Sequence, residues 1–275
     1  MALPLRFLTL AAALAATPLH AQEPSTAATA TYADLADLAD GTPLVLRAEV
    51  RRQTTLSPER TGPIEPGYVR LYVEARTQAL LSGNAPLGEE LRYLVDVPLD
   101  AKGRPPKLKK QEVLLFAQAV PGRPGELQLV APDAQLLYTP ELEERLRPIL
   151  TEFAAGDGPP PVVGIRDVLS LEGTLAGESE TQLFLDTEDD APISLTIVRR
   201  PNQAPRWGAS FGEIVDQSAR APRRDTLAWY RLACGLPEML PPEVNLSDNP
   251  ADRARAAQDY AFVREQLGEC RRNRS

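Results

Sequence analysis

The chain predicts an α+β protein of mostly antiparallel strands, in which a five-stranded barrel with a flanking helix precedes a small antiparallel sheet and a disulfide-tied helical pair. Three observations lead there. Runs between residues 44 and 130 alternate apolar and polar with the period of two that a half-buried strand shows. The segments after 139 and 226 switch to helical spacing and carry helix start and stop residues. The two cysteines, Cys234 and Cys270, fall at the ends of two such helices.

The first element is an address. In "MALPLRFLTLAAALAATPLHAQEP" one cation, Arg6, precedes an apolar run from Phe7 to Ala16, and Ala21 stands before Gln22. This reads as a secretory signal peptide over residues 1–21, with cleavage after Ala15 as the alternative. The run falls short of the roughly 20 apolar residues of a membrane span, and no later segment reaches that length. A periplasmic or secreted protein that does not span the membrane is expected. Residues 22–31, rich in Ala and Thr, read as a flexible tail.

Residues 32–157 read as the barrel domain. "TYADLADLADG" offers a short helix with Leu35 and Leu38 on one side. In "PLVLRAEVRRQ", Leu44, Leu46, Ala48 and Val50 alternate with Val45, Arg47, Glu49 and Arg51, as in a strand with one wet face. "YVRLYVEARTQALL" repeats this, with Val69, Leu71, Val73 and Ala75 inward and Arg70, Tyr72, Glu74 and Arg76 outward. "ELRYLVDVPL", "QEVLLFAQAV" and "GELQLVAP" supply the third, fourth and fifth strands. A helix follows: Thr139 suits the N-cap, Pro140 the first helical position, and Leu142, Leu146, Ile149, Leu150 and Phe153 form one apolar stripe, with Pro148 inside. Five strands closed by a helix resemble the OB fold in element order, over about residues 43–155. No OB family motif accompanies the likeness, so it implies architecture and no activity.

"AAGDGPPPV" is the clearest linker, because consecutive prolines break helix and sheet alike. Residues 158–275 then read as a small α+β domain with a helical C-terminus. "ETQLFLDTEDDAPISLTIVRR" holds two alternating runs around an acidic turn, and "APRWGASFG" adds a third strand. "RRDTLAWYRLACG" spaces Leu227, Tyr230 and Cys234 helically before Gly235 and Pro237 stop it. In "DNPADRARAAQDYAFVREQLGEC", Asn249 caps, Pro250 starts, and Ala256, Tyr260, Val263 and Leu267 share a face up to Gly268. In an oxidising compartment two cysteines favour a disulfide over a metal site, here one that holds the helices together. Trp207 and Trp229 suit packing anchors.

Several chemistries lose their usual residues. Gly208–Gly212 spells G-x-S-x-G, the spacing of a hydrolase nucleophile elbow. Its serine, Ser210, needs a basic partner, and the sole histidine, His20, leaves with the signal peptide. The only lysines, Lys102, Lys107, Lys109 and Lys110, lie in the other half. Ser210 therefore reads as a strand end whose glycines turn the backbone. The acidic turn Asp186, Glu188, Asp189 and Asp190 has the hard oxygens calcium prefers but lacks EF-hand spacing. It reads as a solvated hairpin, and no metal is expected. Without a Gly-rich phosphate loop or CxxC, no cofactor is expected either.

The chain's formal net charge is −8, and one unit more negative once Arg6 is lost, which opposes binding to nucleic acid. Against that background "AKGRPPKLKK" concentrates Lys102, Arg104, Lys107, Lys109 and Lys110 in one loop. The outward strand row of Arg47, Glu49, Arg51, Arg70, Glu74, Arg76 and Arg92 has the mixed signs of cross-strand ion pairs. Arg47, Arg70, Tyr72, Arg76 and Arg92, with the five cations of the loop, form the candidate binding surface. The expected function is an exported, noncatalytic binding or protein-interaction protein of the bacterial cell envelope, with an envelope protein or an anionic glycan as partner. The alternative is a carboxylate-dependent hydrolase of envelope polysaccharide using Glu178 and Glu180, which alternate onto one side of a strand.

Overall fold

The computed structural model describes residues 30–57, 59, 62–85, 87–212 and 218–274. The expected signal peptide, and all of the expected tail except Ala30 and Thr31, lie outside the described residues. The architecture is α+β with two mostly antiparallel sheets and, among the described residues, four α-helices. No described helix is long and apolar enough to cross a membrane.

The first sheet contains β1 (Leu44–Thr55), β2 (Tyr68–Ser82), β3 (Glu90–Pro98), β4 (Glu112–Ala119), β5 (Leu127–Leu129) and β6 (Gln135–Leu137). Strand β1 lies antiparallel between β2 and β4, and β3 flanks β2. The expected fifth strand is present as the short β5, and a further strand that the sequence reading lacks, β6, also pairs with β4, on the other side of residues 130–134. The chain just before β5 returns to β3 through a parallel bridge between Arg92 and Glu126, with the Arg92 N–H donating to the Gly125 carbonyl at 2.8 Å. The Asp96 N–H donates to the Pro132 carbonyl at 2.7 Å, so the circuit β3-β2-β1-β4-β5 closes into the expected OB-like barrel. Gly125 permits that approach: its φ is +79°, and a Cβ there would stand 2.8 Å from the Glu90 carbonyl oxygen.

Helix α1 (Tyr32–Ala39) and helix α2 (Pro140–Ala155) flank the barrel. Thr139 caps α2 as its hydroxyl accepts from the Leu142 N–H at 3.1 Å, and Leu142, Leu146, Ile149 and Leu150 are buried. The single wet face expected of β1 begins only near Arg51. Val45 is fully buried, Arg47 reaches Glu143 of α2 at 3.6 Å and lies 4.6 Å over the Tyr138 ring. Strand β4, buried from Val113 to Ala117, likewise has both faces covered.

The second sheet is a four-strand antiparallel meander, β10-β9-β8-β7, of β7 (Val162–Glu172), β8 (Ser179–Thr187), β9 (Ile193–Arg199) and β10 (Arg206–Phe211). Sequence alternation finds three of these and misses β7. Register shifts between Val162 and Gly164 and between Ile165 and Asp167 break its period of two. One sheet face packs on α3 (Leu227–Gly235) and α4 (Pro250–Leu267). Asn249 caps α4, whose Ala256, Tyr260, Val263 and Leu267 are buried as the spacing predicts. The disulfide Cys234–Cys270 joins these helices, with a Cα separation of 5.2 Å.

Helix α1 ties the halves together. Its capping box is formed by Thr31 and Asp34, and Asp34 also accepts from the Asn273 and Arg274 N–H groups at 3.0 Å. Tyr230 donates to Asp37 at 2.6 Å, and Arg231 pairs with Asp40 at 2.5 Å. Trp229 meets the Tyr32 ring edge-on at 6.0 Å and donates from Nε1 to the Leu267 carbonyl, an anchor as expected. The proline-rich stretch is itself tethered, since the Pro159 carbonyl accepts from Arg231 Nε at 3.1 Å.

Candidate functional site

Strand alternation sends Leu91, Tyr93, Val95 and Val97 of β3 into the barrel, and Arg92, Leu94 and Asp96 out of it. Their partners on the same face of β2 are Glu74, Tyr72 and Arg70. Because β5 and the loop after it close against β3, this outer face becomes one wall of a groove of about 620 Å³. Arg123 and Glu126, paired at 3.2 Å, and the segment Leu127–Pro132 form the other wall.

At one end of the groove Arg70 makes a two-pronged ion pair with Asp96, Nε to Oδ1 at 2.6 Å and Nη2 to Oδ2 at 2.7 Å. Hydrogen bonding to that carboxylate raises the guanidinium above its ordinary value, against the opposite pull of burial. The pair fixes the groove's end and leaves the Arg70 fork oriented. Arg92 is exposed and forms no ion pair with any described residue; its opposite number Glu74 instead reaches Arg52 at 3.7 Å. Leu94 and Val130 stand exposed at 45% and 43%, apolar side chains in water beside a half-buried Tyr72. Tyr93 lies beneath the groove, buried, with its hydroxyl donating to Gln135 Oε1 at 2.6 Å; burial pushes its phenol well above the ordinary tyrosine range.

Of the ten surface residues singled out from the sequence, the groove gathers Arg70, Tyr72 and Arg92. Arg47 is held beneath α2, and its Nε is buried without a partner. Arg76 lies further along β2 and pairs with Glu89 at 2.7 Å. The basic loop runs along β1 and does not line the groove: Gln53 Nε2 donates to the Pro106 carbonyl, and the Leu108 N–H donates to Gln53 Oε1. Lys102 and Arg104 sit on a turn organised by Asp100. Its carboxyl is held below the usual range, first by the Arg104 N–H and also by the Arg104 side chain and the Lys102 N–H. Lys107, Lys109 and Lys110 project around the buried Leu108 and pair with no described acid. They form a separate basic patch.

Sequence reasoning missed Leu94, Val130 and Arg123. Leu94 carries its own signal, an aliphatic side chain at an outward position between two charged ones. The other two become neighbours only through barrel closure, which no local pattern announces.

The remaining candidates sit on the second sheet. Ser210 lies within β10, paired in register with Ser194. Gly208 does not turn the backbone as expected; a Cβ there would stand 2.1 Å from the Ala219 carbonyl, so the glycine admits the close passage of residues 219–220. Glu178 and Glu180 do line a common cavity of about 590 Å³. Glu180 Oε1 accepts from Gln182 Nε2 at 2.7 Å, and Glu178 Oε2 accepts from the Leu175 N–H at 3.4 Å. In the acidic turn Asp189 caps the Ala191 N–H, and no group of three or more metal-ligating side chains converges among the described residues. No protein-family model matches the chain, and no curated protein matches it.

Proposed function

We propose that this is an exported, noncatalytic binding protein of the bacterial cell envelope, and that it engages its partner through the groove between β3 and the β5 segment. The observation that carries the reading is the conjunction around one groove of Arg92, which pairs with no described acid, an oriented Arg70, Tyr72 and the exposed Leu94 on one wall and the exposed Val130 on the other. Arginine and tyrosine dominate the residues that carry binding energy at interfaces, and exposed aliphatic side chains supply the area to be covered. Beyond the Arg70–Asp96 and Arg123–Glu126 pairs the groove keeps one cation, Arg92, without a described acid beside it, which favours an acidic partner: an anionic glycan or an acidic segment of an envelope protein. OB-type barrels use the face of their second and third strands for polymeric ligands, which agrees by fold-level analogy. The test is recovery of whatever travels with the tagged protein after crosslinking in living cells, compared between wild type and an Arg92→Glu, Leu94→Asp variant. A partner lost in the variant supports the reading; an unchanged set of partners overturns it.

A second reading rests on Glu178 and Glu180 lining one cavity. Two carboxylates across a sugar are the machinery of glycoside hydrolysis. Release of reducing ends from envelope polysaccharide, abolished by Glu178→Gln or Glu180→Gln in folded protein, is the result this reading requires. Wild-type protein without such release removes it.

A further inference from the structure

The second sheet turns one face to the helices and leaves the other uncovered near its β7–β8 and β9–β10 hairpins. Register places two rows of side chains straight across that open face. Leu171, Glu180, Val198 and Arg206 form one, and Leu169, Gln182, Thr196 and Gly208 form the other. Two adjoining cavities of about 590 and 300 Å³ lie over these rows and share Thr196, Val198 and Arg200 in their lining. Residues 218–220, passing close over Gly208, wall the β10 side.

The groove has opposite charge at its two ends. Glu178 and Glu180 stand at the β7–β8 end, beside Glu172, which pairs with Arg255 at 3.9 Å; Arg206 and Arg220 stand at the β10 end, and Arg200 borders both cavities. The three arginines form no ion pair with any described residue. In the floor between the two ends Thr196 is 7% exposed, and its hydroxyl is buried with no hydrogen-bond partner. A buried hydroxyl left unpaired costs free energy that a ligand's amide would recover. Neighbouring strands lie roughly 4.8 Å apart, so Glu180 on β8 and Arg206 on β10 are separated by about 10 Å, and the β7 edge from β10 by about 14 Å. An extended peptide advances about 3.3–3.6 Å per residue, so three to four residues cover that span.

We infer that this groove binds a short peptide of three to four residues with free ends, its ammonium group between Glu178 and Glu180 and its carboxylate among Arg200, Arg206 and Arg220. The Thr196 hydroxyl and the Gln182 amide bond its backbone between them. A purely anionic glycan is disfavoured at the acidic end, and a cation alone leaves the three arginines unmatched. This site is independent of the barrel groove.

The experiment is affinity selection from a mixed library of uncapped tetrapeptides, with peptides retained by the folded protein identified by mass spectrometry, in parallel with the same library N-acetylated and C-amidated. Uncapped peptides are expected to be retained and capped ones not. Arg206→Glu, at an exposed side chain that forms no ion pair with a described residue, should lower retention at least tenfold while leaving the melting temperature unchanged, and Thr196→Val should lower it severalfold. Arg92→Glu in the barrel groove should leave it intact, which separates this site from the proposed function. Retention of nothing, equal retention of capped peptides, equal retention by Arg206→Glu, or recovery of cleaved peptides would overturn the inference.

Discussion

Replacing Asp259 with Asn removes a charge from the most enclosed polar position in the second half. The Asp259 carboxylate is fully buried on α4, where Oδ1 accepts from Arg199 Nε at 2.5 Å and Oδ2 accepts from the Thr181 hydroxyl at 2.5 Å. Thr181 also hydrogen-bonds the buried Ser170 hydroxyl at 2.8 Å, so one carboxylate links helix, two strands and a cation. Breaking a buried pair by removing one partner costs about 3–5 kcal/mol, chiefly because a charge stays behind uncompensated. The Arg199 side chain is 30% exposed and recovers some hydration, which places Asp259→Asn near the lower end, about 3 kcal/mol. For a chain of this size each kcal/mol moves the melting temperature by about 2–4 °C, so a drop of roughly 6–12 °C is expected. Equilibrium unfolding in denaturant with the disulfide intact measures it, and Arg199→Met in the mutant background should cost much less than it does alone. A loss below about 1 kcal/mol, or additive single mutants, would refute the view that this pair fastens α4 to the sheet.

Four further outcomes are expected. Reducing Cys234–Cys270, which closes a loop of sequence separation 36, should destabilise the protein by ~4 kcal/mol in the chain-entropy model, read as a shift between melts with and without reductant. Gly208→Ala places a methyl against the Ala219 carbonyl and should cost about 1–3 kcal/mol, whereas Gly212→Ala, with nothing within 4 Å, should cost less than half as much. For Asp34, burial alone would raise the carboxyl, but N–H groups of Thr31, Arg274 and Asn273 outweigh it and hold the group below its ordinary value. The depressed folded value gives stability fully present above the unfolded value of about 3.9 and lost as pH falls through the folded one, so the Tm gap between wild type and Asp34→Ala should narrow only below about pH 4. Arg92→Glu should leave stability within about 0.5 kcal/mol of wild type while abolishing partner capture, since the side chain is exposed and forms no ion pair with a described residue.

What the sequence makes legible follows from which forces are local. The caps at Thr139 and Asn249, the stripes of α2 and α4 and the inward set of β2 each depend on a few neighbouring residues, and all stand where spacing puts them. The cysteine pairing is legible because the expected oxidising compartment and the two helix ends leave one structural use for two thiols. Strand β7 is not, because two register shifts hide its alternation, and β1 reads as half wet because nothing near Val45 announces that α2 will cover it. The same limit governs the sites. Arg70, Tyr72 and Arg92 could be named from alternation, but their union with Arg123 and Val130 is a product of barrel closure. The charge separation on the second sheet needs the register of three strand pairs before it exists at all.

The most direct test of the binding account is site-specific photocrosslinking in living cells, with a photoreactive side chain at Leu94 in the barrel groove and, as a control, at Leu246, which is 60% exposed outside it. The account predicts a discrete adduct from position 94, suppressed by Arg92→Glu, and none from position 246. Equal labelling at both positions, or none at 94, would contradict it.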